Sequence, residues 1–369
     1  MSAMNGSAVA LRPNRRAIGC FAALAFALSA FVFAPAAAHA QAPPTTTYLA
    51  LGDSISFGYS EERFNLHYPT ESPSYFEEGF TNDFVKDLAL KSEVGKSIRL
   101  VNDACPGETS NGLIGENTEL GGEASTETIE EVEGKPAERF PAGGYQGLGD
   151  WHPCKYAFED HLPLHNGGYV NEGKEVSQLE EAVSSIESKT SPVKAITLNI
   201  GSNDELAAIT QCEDEHGAEG EYAILECIKE TSEHVTVPHI LHNIGDILTV
   251  IHDVGYTGPI VLLGFYNPDA FILPGSDALQ KGTNEAVEGE LLPELRSEGI
   301  NVAYANPFPI FNRESGVDAK KELKAICKYT EMCNPNDPGG SEDDGDIHPS
   351  PLGYEELGKL VNKAYKEIA

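Results

Sequence analysis

Five short apolar runs, rich in β-branched residues, recur along the 369-residue chain at 47–51, 98–102, 195–200, 259–263 and 301–304. Runs this short and this uniformly apolar are what strands covered on both faces require. The stretches between them carry a different period. Phe76, Phe80, Phe84, Leu88 and Leu90 fall roughly on one face of 73–91. Leu179, Ala182, Val183 and Ile186 do the same in 177–187, and Ile240, Leu241, Ile244, Ile247, Leu248 and Ile251 in 237–253. Tyr354, Leu357, Leu360, Val361, Ala364 and Ile368 line 351–368. Apolar residues every three or four positions mark helices that bury one stripe. Strands alternating with such helices predict a five-stranded parallel sheet between two helical layers, a three-layer α/β/α fold. No internal repeat or low-complexity linker interrupts the pattern, so 41–369 reads as one domain.

The first 40 residues do not follow that pattern. Arg12, Arg15 and Arg16 precede an apolar stretch, Ile18 to Ala34, and Ala38-His39-Ala40 has small residues on either side of a histidine. This is the arrangement of a secretory signal peptide with cleavage near Ala40, and it predicts an extracellular protein. No other segment is apolar for long enough to span a bilayer, so stable membrane insertion is not expected. Nearly all of the apolar stretch follows Cys20 instead of preceding it, so Cys20 does not fit a lipoprotein box. The formal charge is −33, and losing three arginines and no acid with the leader takes it to −36. A chain so acidic repels nucleic acid and anionic membrane surfaces. A monomer is expected.

Six cysteines remain beyond the leader: Cys105, Cys154, Cys212, Cys227, Cys327 and Cys333. None has the C-x-x-C spacing of a zinc or redox site, so structural disulfides of an oxidising compartment are expected. Six cysteines allow fifteen pairings, and sequence does not choose among them. Short loop closure favours Cys212–Cys227 and Cys327–Cys333, leaving Cys105–Cys154. The segment 108–176, rich in Gly, Glu and Pro and holding the single tryptophan, Trp151, is a long insertion after the second strand. Connections of this length are usually functional or mobile, and a substrate-lining loop is expected here.

The first run ends in Gly52-Asp53-Ser54, which puts a hydroxyl at the C-terminal edge of a parallel sheet, where open α/β folds place their ligands. A hydroxyl needs a base to become a nucleophile and fixed donors to receive the oxyanion. His348, in Asp346-Ile347-His348-Pro349, precedes the last helix. Gly107 follows the second run, where absence of a side chain lets a backbone N–H approach a substrate. Asn203, in Gly201-Ser202-Asn203-Asp204, follows the third and offers an amide. Acyl transfer is the chemistry these residues suit.

In this order the four blocks resemble those of the SGNH (GDSL) hydrolases over about 46–368, with 108–176 the least matched part. The resemblance implies a flavodoxin-like sheet of order 2-1-3-4-5 and Ser54 as nucleophile with His348 as base. It also implies an oxyanion hole from the Ser54 and Gly107 N–H groups with the Asn203 amide, and neither metal nor organic cofactor. The six cysteines look like those of the secreted three-disulfide actinobacterial esterases and lipases of that family. A small-molecule or lipid ester is the implied substrate, with carbohydrate deacetylase, phospholipase and non-catalytic glycan-binding readings as alternatives. One position departs from the family. The aspartate usual three residues before the histidine is Gly345 here. Asp346, Asp344 or the Gly345 carbonyl is left to support the imidazole.

Other signals are weaker. Ser54 alone would serve as a helix N-cap. His239 and His242 are three apart on an expected helix, where a solvated or capping role is favoured over a shared metal. The acidic loop 334–346 does not match the register of a twelve-residue calcium loop. Trp151, Tyr145 and Tyr156 suit either a pocket wall or packing beneath the insertion.

Overall fold

The computed structural model describes residues 46–67, 73–91, 97–114, 170–171, 174–175, 177–188, 191–271, 273, 276–313, 318–334 and 345–369. The leader, most of the insertion (115–169, with Tyr145, Trp151, Cys154 and Tyr156) and the acidic stretch 335–344 with Asp344 lie outside the described residues.

Strands β1 (Thr46–Gly52), β2 (Ile98–Asn102), β3 (Val193–Asn199), β4 (Ile260–Leu263) and β5 (Val302–Ala305) form one sheet in the order β2-β1-β3-β4-β5. Every pair is parallel, with Tyr48 beside Leu100 and Ala195 across β1. This is the 2-1-3-4-5 order and the three-layer architecture expected from the sequence.

Alternation along the strands explains the layers. Leu49 and Leu51 of β1 point to one face and pack with Ile196, Leu198, Leu262 and the helix Val237–Asp253 through Ile240, Ile244 and Ile247. Tyr48 and Ala50 point to the other and meet Phe80, Phe84 and Leu88 of helix Phe80–Lys91, with Leu357 and Val361 of helix Pro351–Ile368. Side chains of a strand alternate faces, so a strand apolar at every position needs helices on both sides. Each large side chain fully withdrawn from water contributes about 1.5–3 kcal/mol. The phenol of Tyr48 is matched within the core by a 2.7 Å hydrogen bond with the Thr197 hydroxyl.

The expected helix over 73–91 is in fact a 3₁₀ turn, Pro73–Phe76, followed by the α-helix Phe80–Lys91. Gly79 lies between them, where a Cβ would come within 2.7 Å of the Gly58 backbone. Helices Ser202–His216 and Ala319–Tyr329 are not among those expected from the sequence; the second has an amphipathic face and the first almost none. The first buries mainly Ala207, Ala208, Ile209 and Cys212. The Cys212–Cys227 and Cys327–Cys333 disulfides are both present. Cys105 is also disulfide-bonded. Cys154, its expected partner, lies outside the described residues. No helix among the described residues is long and apolar enough to cross a membrane.

Candidate active site

At the end of β1 the backbone of Gly52 takes φ +133°, and a Cβ there would lie 1.9 Å from the Asn199 carbonyl oxygen of β3. Only glycine brings the two strand ends this close. The chain then turns into α1 (Ser54–Phe57), with Asp53 as its N-cap accepting from the Ile55 N–H at 3.0 Å. The cap is therefore Asp53 and not Ser54. That leaves the Ser54 hydroxyl without a capping task, at the first helical position. The Asp53 carboxyl is fully enclosed, and burial pushes it up to about 7 against the pull of the Ile55 N–H and of His348.

The Ser54 Oγ lies 2.8 Å from His348 Nε2. His348 Nδ1 lies 2.5 Å from Asp346 Oδ1. Both residues belong to a short strand, β6 (Asp346–Pro349), paired antiparallel with Thr330–Glu331. Positions i and i+2 of a strand share a face, which brings Asp346 beside the imidazole. Gly345 explains the departure at the preceding position: a Cβ there would lie 2.2 Å from the Met332 carbonyl oxygen. An aspartate cannot occupy it while β6 holds this course.

Asp346 is well supplied with donors. Oδ1 also accepts the His348 backbone N–H at 2.9 Å, and Oδ2 accepts the Glu61 N–H at 3.0 Å. Burial alone would raise this carboxyl, but the His348 charge and these hydrogen bonds outweigh it and hold it below the ordinary carboxylate range. An ionised carboxylate only accepts, so the imidazole proton sits on Nδ1 and the Nε2 lone pair faces the Ser54 O–H. Tyr59 stands edge-on to the imidazole, ring centres 4.6 Å apart, and Tyr266 donates to the Ile347 carbonyl at 2.8 Å. These contacts fix the ring plane and the strand that carries it.

Asn203 falls in the first turn of helix Ser202–His216 rather than in a loop. Its amide donates to the Glu108 carbonyl at 2.8 Å, and an amide nitrogen has a second hydrogen to give. Asp204 accepts the Ser110 N–H at 2.9 Å and its hydroxyl at 2.7 Å, so it holds the turn after β2 against this helix. Gly107 lies in that turn at φ +80°. A cleft is lined by Ser54, His348, Asn203, Leu206, Ile347 and Gln280, among others; Gly107 is not in the lining. The fold thus links Ser54, His348 and Asp346 by hydrogen bonds and sets Asn203 in the same cleft as Ser54 and His348, while Gly107 precedes Glu108, whose carbonyl Asn203 binds.

His239 is not solvated, contrary to expectation. It is buried with Nε2 3.7 Å from Asp204 Oδ1, and burial pulls its pKa down to about 4. It is neutral at ordinary pH. His242 faces Asp246 at 3.5 Å on the outer side of the same helix, so the two imidazoles do not converge. Among the described residues, the one cluster with metal-ligand geometry is Glu215, His216 and Cys227, and the Cys227 sulfur is spent in a disulfide.

No family model and no curated protein sequence matches the chain. Among solved structures, the chain is similar to an extracellular lipase from Streptomyces rimosus, with 14% identity, 86% of this chain and 99% of that one covered, and a TM-score of 0.43. Phospholipase A1 from Streptomyces albidoflavus matches at 14% identity, covering 88% and 100%, with a TM-score of 0.43. The lipase Lip_vut3 from a goat rumen metagenome matches at 16% identity, covering 87% and 97%, with a TM-score of 0.42. These likenesses are distant, and the fold stands on the chain's own strand order. In that order and in its four motif blocks the chain resembles the SGNH (GDSL) hydrolases.

Proposed function

We propose that this chain is an exported carboxylic ester hydrolase that works through an acyl-enzyme on Ser54. The observation that carries the reading is the continuous hydrogen-bonded path Asp346–His348–Ser54, formed by residues from opposite ends of the sequence. His348 Nε2 takes the hydroxyl proton as Oγ attacks the ester carbonyl, and Asp346 stabilises the imidazolium that results. The tetrahedral oxyanion is received by the Asn203 amide and the Ser54 N–H, the first of α1 and so without an intrahelical partner. Gly107 supplies the third donor in this reading. Collapse expels the alcohol with the proton returned by His348, and water repeats the cycle to release the acid. Disulfides suit the oxidising destination that the leader implies.

Ser54→Ala should lower kcat for a short p-nitrophenyl ester by more than about 10⁴-fold while the circular dichroism spectrum is unchanged. A fluorophosphonate probe should label the wild type and not the variant. Hydrolysis retained in Ser54→Ala would sink the assignment.

A further inference from the structure

The two turns that build the site, one after β1 and one after β2, share a buried side chain that belongs to neither. Gln178 is the first residue of helix Gln178–Glu187, whose N-terminus is fixed by a Ser177–Glu180 capping box. Its side chain is 1% exposed. Gln178 Oε1 accepts the Gly52 N–H at 2.7 Å, and Nε2 donates to the Gly52 carbonyl at 2.9 Å. The amide thus pairs with both polar groups of one peptide residue, as a neighbouring strand would. The same Nε2 lies 3.3 Å from Glu108 Oε2. Two hydrogens on one amide nitrogen suffice for both contacts.

These partners lie next to the chemistry. Gly52 is two residues before Ser54 and also accepts the Cys105 N–H at 2.9 Å. Glu108 follows Gly107, and its carbonyl receives the Asn203 amide. We infer that Gln178 is a positioning residue that holds the nucleophile turn and the oxyanion turn in register with each other. The inference rests on the ester-hydrolase reading above, since it assigns those turns their tasks. Displacement of reacting groups by an ångström is enough to cost about a hundredfold in rate. A side chain tied to both turns therefore acts on the transition state more than on ground-state binding.

The test is steady-state kinetics of Gln178→Met and Gln178→Glu on p-nitrophenyl butyrate, well below each variant's melting temperature, with Ser54→Ala as a control arm. Methionine keeps the length and loses the hydrogen bonds. Its kcat should fall about 10- to 100-fold with KM within about twofold of wild type. A protonated glutamic acid copies the amide's acceptor and one donor, Glu108 being the acidic side chain it would face. At pH 5, Gln178→Glu should therefore regain most of the wild-type kcat measured at that pH. Wild-type kcat in Gln178→Met, or a loss confined to melting temperature, would overturn the inference. Should Gln178→Met not fold, a Gln178→Glu kcat at pH 5 no better than at pH 8, relative to wild type, overturns it instead. Ser54→Ala separates the two ideas: if it abolishes hydrolysis and Gln178→Met does not lower kcat, only the positioning role fails.

Discussion

Asp346 shows how a change of one position in sequence is absorbed by a change of backbone. The family spacing reaches its histidine from three residues upstream, whereas here the carboxylate sits two upstream on the same face of β6, with Gly345 held against Met332. If Asp346 fixes the imidazole tautomer, Asp346→Asn should cut kcat by roughly 10³–10⁴-fold with little change in melting temperature. A loss of only a few-fold would instead point to a carbonyl-supported pair. Sequence named Ser54 and His348, and left open whether Asp346, Asp344 or the Gly345 carbonyl supports the imidazole. That choice depends on the close approach of the Gly345 and Met332 backbones, a contact with no signature in the motif. Gln178 was invisible for a similar reason, because its task is set by where the helix Gln178–Glu187 docks and not by its neighbours in sequence.

At the level of elements, α1 is only four residues long, and its start depends on Asp53. The carboxyl is raised to about 7 by burial, so between pH 4 and 7 the native chain binds a proton that the unfolded chain has released. Stability falls with rising pH across that window through this group. Asparagine caps a helix as well as aspartate and carries no charge. Asp53→Asn should therefore melt like the wild type below about pH 4 and progressively above it as pH rises from 4 to about 7, the advantage levelling off beyond that at about a few kcal/mol at most. A melting curve in which the variant's advantage shrinks with rising pH would contradict this. Strands and the long helices were legible because burial on two faces or on one stripe leaves a period in the sequence. Helix Ser202–His216 was not, since its buried face mixes Asn203, Asp204 and Glu205 with alanines, one isoleucine and a cysteine.

At the scale of the whole molecule, one disulfide stands apart from the chemistry. Cys212–Cys227 ties helix Ser202–His216 to helix Glu221–Thr231 across a loop of 15 residues. It lies nine residues beyond Asn203, roughly 13 Å along the helix. A closed loop of that length is worth about 3 kcal/mol. The paired change Cys212→Ala with Cys227→Ala should cost about 2–4 kcal/mol in denaturant titration and leave kcat at 25 °C within about twofold. A large fall in kcat without loss of stability would mean that this helix transmits strain to the oxyanion side.

Ser54 and His348 are 294 positions apart, and the hydrogen bond between them closes the chain from the end of β1 onto β6. Under the proposed function, neither half of the polypeptide can then hold a residual capacity to cut esters, because each owns one reactant of the proposed proton transfer and no means of orienting it. Catalytic competence is a property of the finished tertiary assembly, lost at the first opening that parts β1 from the segment bearing the imidazole and restored only when both return.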